Sequence, residues 1–121
     1  MKDKCFLVTG SSSGIGRAIT VKLLDAGAKV LGVARNHTKL KLEHKNYLTY
    51  SIDLNTSDNL EKKIKKIIED NPEINGLVSN AGYGEFGPLE NFSSKQISSF
   101  LSMNLTSHII ITKCLLPHFK K

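Results

Sequence analysis

Short apolar runs alternate with amphipathic stretches along the chain. Cys5-Phe6-Leu7-Val8 is an unbroken apolar run of strand length, as a strand buried on both faces requires. From Gly14 to Ala26, Ile15, Ala18, Ile19, Val21, Leu23 and Leu24 predict a helix that Gly27 stops. Lys29–Ala34 predicts a second strand, Thr38–Glu43 a short helix, and Tyr47–Ile52 a third strand. Leu60, Ile64, Ile67 and Ile68 then recur at helical spacing in a segment that Ser57 or Asp58 can cap and that Asn71-Pro72 ends after Asp70. Gly76–Ser79 is a fourth short strand, and a glycine-rich loop from Ala81 to Pro88 follows. Ser93 or Ser94 opens a long helix reaching Pro117, with Ile97, Phe100, Leu101, Leu105, Ile109, Leu115 and Leu116 on its apolar side.

This alternation is the signature of βαβ units in an α/β fold. Right-handed crossovers order the strands 3-2-1-4, so the expected architecture is a Rossmann-like doubly wound parallel sheet, cut off after the long helix that follows strand 4. Residues 1–121 are expected to form a single domain, without repeat, linker or low-complexity segment. With 40% hydrophobic and 23% charged residues, the composition is that of a globular chain and excludes disorder. No apolar run approaches the roughly 20 residues of a membrane span, and the first one ends at Thr9-Gly10, too early for a signal peptide. Cys5 and Cys114 lie far apart and without metal-ligand spacing, so both read as buried thiols of a cytoplasmic protein.

A net charge of +6 and an isoelectric point near 9.4 suit an anionic partner. The densest cluster, Lys62-Lys63-Ile64-Lys65-Lys66, places its lysines opposite the apolar face of a helix and lacks interleaved aromatics or arginines. It reads as a solvated face, and no nucleic-acid partner is expected. The anion-binding signal lies instead directly after the first strand, in Thr9-Gly10-Ser11-Ser12-Ser13-Gly14-Ile15-Gly16. Glycines there permit a tight turn and close backbone approach, while the N–H groups and dipole of the following helix face an anion such as a pyrophosphate. A glycine loop alone is a weak signal; its place between a strand and a helix of a βαβ unit strengthens it.

The spacing Gly-x-x-x-Gly-x-Gly differs from the common Gly-x-Gly-x-x-Gly fingerprint. It resembles the glycine motif of the short-chain dehydrogenase/reductase family. Three further stretches carry the same resemblance in the same order. Ile52-Asp53-Leu54 closes the third strand, where the family places an aspartate on the adenine amino group. Asn80-Ala81-Gly82 matches the family's Asn-Ala-Gly motif, which steadies the sheet and borders the cofactor. After Gly87-Pro88-Leu89-Glu90, Met103-Asn104-Leu105 resembles the segment holding the helix asparagine that organises a proton relay through water. The bland alternatives are a helix-capping or loop aspartate, a plain turn, and an asparagine at a kink or an interface.

The resemblance implies a nicotinamide dinucleotide as cofactor and hydride transfer between a carbonyl and an alcohol. Val33-Ala34-Arg35-Asn36 at the end of the second strand lacks the acid that selects NAD and offers a guanidinium for a 2′-phosphate, so NADP is expected over NAD. The family often adds a second basic residue just before the middle glycine; that position is Ser13 here. The family's catalytic tyrosine, lysine and serine lie downstream of the helix asparagine. Tyr47, Tyr50 and Tyr83 all precede Asn104 and none begins a Tyr-x-x-x-Lys, leaving Asn104 the sole expected catalytic residue. The expectation is therefore the cofactor-binding part of an oxidoreductase, inactive alone; the alternative is a non-catalytic nucleotide-binding or interaction module. In the family the long helix packs on a later helix and a second subunit, and the apolar fourth strand is left with an exposed edge, so a dimer or an unstable monomer is expected.

Overall fold

The apolar runs pair into one parallel sheet ordered β3-β2-β1-β4, the predicted order, with β1 spanning Cys5–Thr9, β2 Lys29–Ala34, β3 Tyr47–Ser51 and β4 Gly76–Val78. The structure, a computed structural model, describes residues 1–37, 42–55, 59–84 and 86–121. Leu7 of β1 sits opposite Leu31 of β2 and Leu77 of β4, and Val30 of β2 opposite Tyr47 of β3. This register sends two different sets of side chains to the two faces, because successive residues of a strand point opposite ways.

One face carries Cys5, Leu7, Leu31 and Val33. These residues pack with Leu60, Ile64 and Ile67 of helix α2, Leu60–Asp70, and with Ile111, Cys114 and Leu115 of helix α4, Ser107–Phe119. The apolar positions of α2 recur every three or four residues, so one stripe enters this core while the lysines stay in water. Asn71 ends α2 through its side chain, whose Nδ2 donates to the Ile67 carbonyl at 2.9 Å and to the Tyr50 hydroxyl at 3.0 Å. The predicted caps Ser57 and Asp58 lie outside the described residues, as does most of the predicted helix at 38–43; Leu42 and Glu43 are irregular.

The other face is covered by helix α1, Gly14–Asp25. Its buried stripe is Gly16, Thr20 and Leu24, with the Thr20 hydroxyl donating to the Gly16 carbonyl at 2.8 Å. Ile15, one of the apolar residues that predict this helix, is 72% exposed.

The predicted long helix is interrupted. Helix α3, Ser94–Leu101, opens on a capping box in which Ser93 Oγ accepts from Gln96 N at 3.1 Å and Gln96 Oε1 accepts from Ser93 N at 2.7 Å. A π-helical turn, Ser102–Thr106, separates it from α4, which continues through Pro117. The extra residue in that turn shifts the helical phase. Of the residues predicted for the apolar side, only Leu115 is buried, while Ile97, Phe100, Leu101, Leu105, Ile109 and Leu116 form an exposed face. The residues that enter the core are Ser107, Ile111, Cys114 and Leu115.

Candidate functional site

At the carboxyl ends of β1, β2 and β4 lies a cleft of about 700 Å³. Parallel α/β sheets place ligands at this end, where loops diverge and helix N-termini converge. Gly10, at φ +69°, turns the chain out of β1, and its N–H donates to the Val33 carbonyl at 2.7 Å. The loop then passes so close to α1 that a Cβ on Gly16 would lie 2.0 Å from the Gly10 carbonyl oxygen. Only glycine permits that approach, which brings the start of α1 under the loop. Ser13 occupies the N-cap position without a side-chain cap bond, and the first turn holds no acidic residue. The orphan N–H groups of this helix end thus meet no carboxylate of the chain's own first turn.

Thr9 joins this loop to the segment after β4. Its Oγ1 accepts from Asn80 N at 2.9 Å and from Ala81 N at 3.0 Å, while Asn80 Nδ2 donates to the Gly10 carbonyl at 3.4 Å. A second brace comes from α4: His108 Nε2 bonds the Ala81 carbonyl at 2.6 Å and Nδ1 meets Ser79 Oγ. A carbonyl only accepts, so Nε2 is the donor to Ala81.

Asn104 lies in the π turn, a common position for functional residues. Its Oδ1 accepts from Tyr83 N at 3.0 Å and its Nδ2 donates to the Tyr83 and Phe100 carbonyls at 2.9 and 3.0 Å. Gly82 leaves room for that amide, since a Cβ there would sit 2.5 Å from Asn104 Oδ1. Asn104 therefore clamps the backbone at one wall of the cleft, and Tyr83 packs edge-on against Phe100 with ring centroids 5.6 Å apart.

The cleft brings together Gly10, Ser12, Ser13, Gly14, Ile15, Arg35, Leu54, Asn80, Ala81 and Gly82 of the residues expected from sequence. Ser11 and Gly16 lie beneath it. Ser11 is 1% exposed and accepts a hydrogen bond from the Tyr47 hydroxyl at 3.0 Å. Asn36 follows Arg35 outside the lining, and Asp53 sits between two lining residues, its Oδ1 accepting from Asn55 N at 2.9 Å. Asn104 stands behind the wall it clamps. Sequence reasoning missed Asn55, Met103 and Ile52 as lining residues and Thr9, Tyr47 and His108 as braces. Thr9 and Met103 adjoin the motifs; Tyr47 and His108 carry no local signal, because only strand order and helix packing bring them near.

A dinucleotide fits this site. The glycine contacts form a cradle that a Cβ would fill, and Asn55, which lines the cleft, has its Oδ1 buried without a hydrogen-bond partner. Arg35 is the one charged residue of the lining among the described residues. Among the described residues no group of three or more His, Cys, Asp or Glu side chains could hold a metal ion.

Parallel topology, glycine loop and cleft together define a nucleotide-binding protein of the doubly wound class. The chain belongs to the short chain dehydrogenase family, whose model matches residues 4–121. It is 33% identical to benzil reductase ((S)-benzoin forming) of Bacillus cereus, over 95% of this chain and 50% of that protein. It is 31% identical to a 3-oxoacyl-[acyl-carrier-protein] reductase of Buchnera aphidicola, over 93% of this chain and 48% of the relative. A metagenomic short-chain oxidoreductase solved in complex with NADP superposes with a TM-score of 0.89 at 28% identity, covering 98% of this chain and 57% of the other. The ligand-free aldohexose dehydrogenase of Thermoplasma acidophilum gives 0.83 at 30% identity, covering 98% and 45%. The chain thus spans about half the length of the curated relatives it matches.

Proposed function

We propose that residues 1–121 form one nucleotide-binding domain of a cytoplasmic, NADP-preferring oxidoreductase that exchanges hydride between a carbonyl and an alcohol. The observation that carries this reading is the charge of the cleft. Arg35, exposed at the end of β2, stands where a carboxylate would select an unphosphorylated ribose, and no carboxylate lines the cleft among the described residues. A guanidinium there suits a 2′-phosphate; NAD is the second choice.

When bound, the nicotinamide ring supplies the hydride. The chain's own residues hold and orient the rest. Backbone N–H groups from Ser12 to Gly16 face the pyrophosphate, with Gly10 and Ser11 shaping the turn. Arg35 and Asn36 meet the adenosine ribose. Asp53, Leu54 and Asn55 flank the base, and Asn80, Ala81 and Gly82 border the nicotinamide half. Asn104 fixes Tyr83 at that border and is the proposed organiser of a water-borne proton path.

Titrating the 121-residue chain with NADPH and NADH tests the reading. NADPH is expected to bind more tightly, and Arg35→Asp to shift the ratio of dissociation constants toward NADH by about tenfold, the weight of one charge-assisted contact at an exposed site. An unchanged ratio removes Arg35 from this role.

One observation favours a second reading, a nucleotide-binding module without chemistry: none of the three tyrosines has a lysine four residues on. The chain alone is expected to bind nucleotide without turnover, and NADPH-dependent reduction of a carbonyl by it would defeat that expectation. Self-association is supported by area. The chain exposes 7719 Å², whereas a compact monomer of 13.4 kDa exposes about 6,500 Å². The outer face that runs from α3 through the π turn into α4 is apolar, with Leu105 at 54% and Ile109 at 58% exposure. Light scattering on the wild type and on Leu105→Lys checks whether this face holds copies together.

A further inference from the structure

We propose that Tyr47 is a positioning residue for the phosphate-binding loop, acting across two strands through Ser11; the inference rests on the nucleotide-binding reading above. Three observations meet at this point. Tyr47 begins β3, the outer strand of the sheet, and its hydroxyl donates to Ser11 Oγ at 3.0 Å. Ser11 itself is buried, so its side chain points away from the cleft that its neighbours Ser12 and Ser13 line. Between the two lies Gly32 of β2, where a Cβ would sit 2.6 Å from the Tyr47 hydroxyl oxygen and 2.4 Å from Ser11 Oγ. Gly32 is thus the slot through which the ring reaches the loop.

The loop's other fastenings gather at Gly10, whose N–H donates to the Val33 carbonyl and whose own carbonyl accepts from Asn80. Gly10 and Gly14 both take positive φ, at 69° and 55°, and the Ser13 side chain makes no cap bond. Glycines leave such a segment conformationally free, and a ligand that needs it ordered bears the ordering entropy when it binds. A buried anchor on the residue between Gly10 and Ser12 removes part of that entropy beforehand. Ser11 then serves the site through its fixed side chain, not by touching the anion, and Tyr47 orients backbone donors from a distance.

The probe is ADP, which carries the pyrophosphate and base but no nicotinamide. Tyr47→Phe keeps the ring in its slot and is expected to raise the ADP dissociation constant about three- to tenfold, the weight of one neutral hydrogen bond. Ser11→Ala is expected to do the same, and the double variant to lose no more than either alone, because both remove one interaction. Tyr50→Phe is the control: it deletes a hydroxyl bonded to Asn71, at 3.0 Å, on the opposite face. It is expected to lower the melting temperature comparably while leaving ADP affinity unchanged. If Tyr47→Phe binds ADP as the wild type does, or if the two single effects add in the double variant, the positioning role is overturned and the nucleotide site stands. Wild-type chain that binds no ADP overturns both.

Discussion

The two faces of the sheet are built on opposite plans. Under α2 and α4, side chains from two strands, two helices and the segments after β3 and before β4 interlock into a cluster of thirteen buried residues; under α1 the buried apolar cluster is Val8, Leu24 and Val30. The α1 face also carries two strand glycines, each covered by a neighbouring ring. A Cβ on Gly76 would strike Phe6 at 2.3 Å, and one on Gly32 would strike Tyr47 at 2.6 Å. Close packing on the first face contributes burial energy, while small residues on the second let loop, helix and strand backbones come close enough to shape a ligand cleft. The glycine loop and α1 thus shape one wall of the cleft from the thin face, while Val33, Ile52 and Leu54 of the dense cluster line another.

Ile64→Ala, in the dense face, is the severest test of this division. It is expected to cost about 4 kcal/mol in denaturant unfolding while leaving ADP affinity intact below the transition. Gly16→Ala should do the reverse in kind. Its Cβ meets a backbone oxygen, so about 3 kcal/mol is lost and nucleotide binding disappears even where circular dichroism shows a folded chain. Leu24→Ala, on the thin face, should cost about 2 kcal/mol, less than Ile64→Ala because fewer neighbours surround it. Equal losses at Leu24 and Ile64 would erase the distinction.

Two smaller effects sharpen it. Cys5 and Cys114 both belong to the dense face, and burial pushes the Cys5 thiol up to about 11 and raises that of Cys114. Iodoacetamide at pH 8 is therefore expected to label either thiol only as fast as the chain unfolds globally; rapid labelling in native buffer would show the dense face opening locally. At the far end of the sheet Lys29 pairs with Glu73, a contact that lowers the Glu73 pKa and raises that of Lys29. The carboxylate's contribution is present above the ordinary glutamate range and lost as pH falls through its lowered folded value. The ammonium's contribution is lost only as pH rises through its raised value. Both partners are about a third or more exposed, so Glu73→Gln should cost about 0.5 kcal/mol at neutral pH, with the difference from wild type vanishing in acid.

Much of the architecture was legible in the chain, and the division of labour was not. The apolar run Cys5–Val8, the stripe of α2 and the punctuation by Gly27 and Asn71-Pro72 are local signals, and each produced an element within a residue or two of its predicted span. The glycine loop was legible through its local demands, the positive φ of Gly10 and the approach of Gly16 to the Gly10 carbonyl, although both glycines also meet Asn80 across the sheet. The path after Ser93 misled. Seven apolar residues at helical spacing read as one inward stripe, but six of them lie exposed before, within and after the π turn at Ser102–Thr106, and α4 buries Ser107, Ile111, Cys114 and Leu115 instead. Nothing in their own spacing announces that turn, where the Asn104 amide grips the backbone of a loop 21 residues earlier.

The chain alone thus determined its parallel strand order, its glycine loop and the cation at the end of β2. These follow from side-chain periodicity, the handedness of crossovers and the freedom of glycine, all readable within short windows. Only the tertiary structure decided that Ser11 turns inward to Tyr47, that Thr9 and His108 brace the Asn80–Gly82 segment, and that one sheet face is dense and the other thin. Each of those depends on contacts between residues many positions apart, whose meeting is set by how strands register and helices settle across a shared sheet.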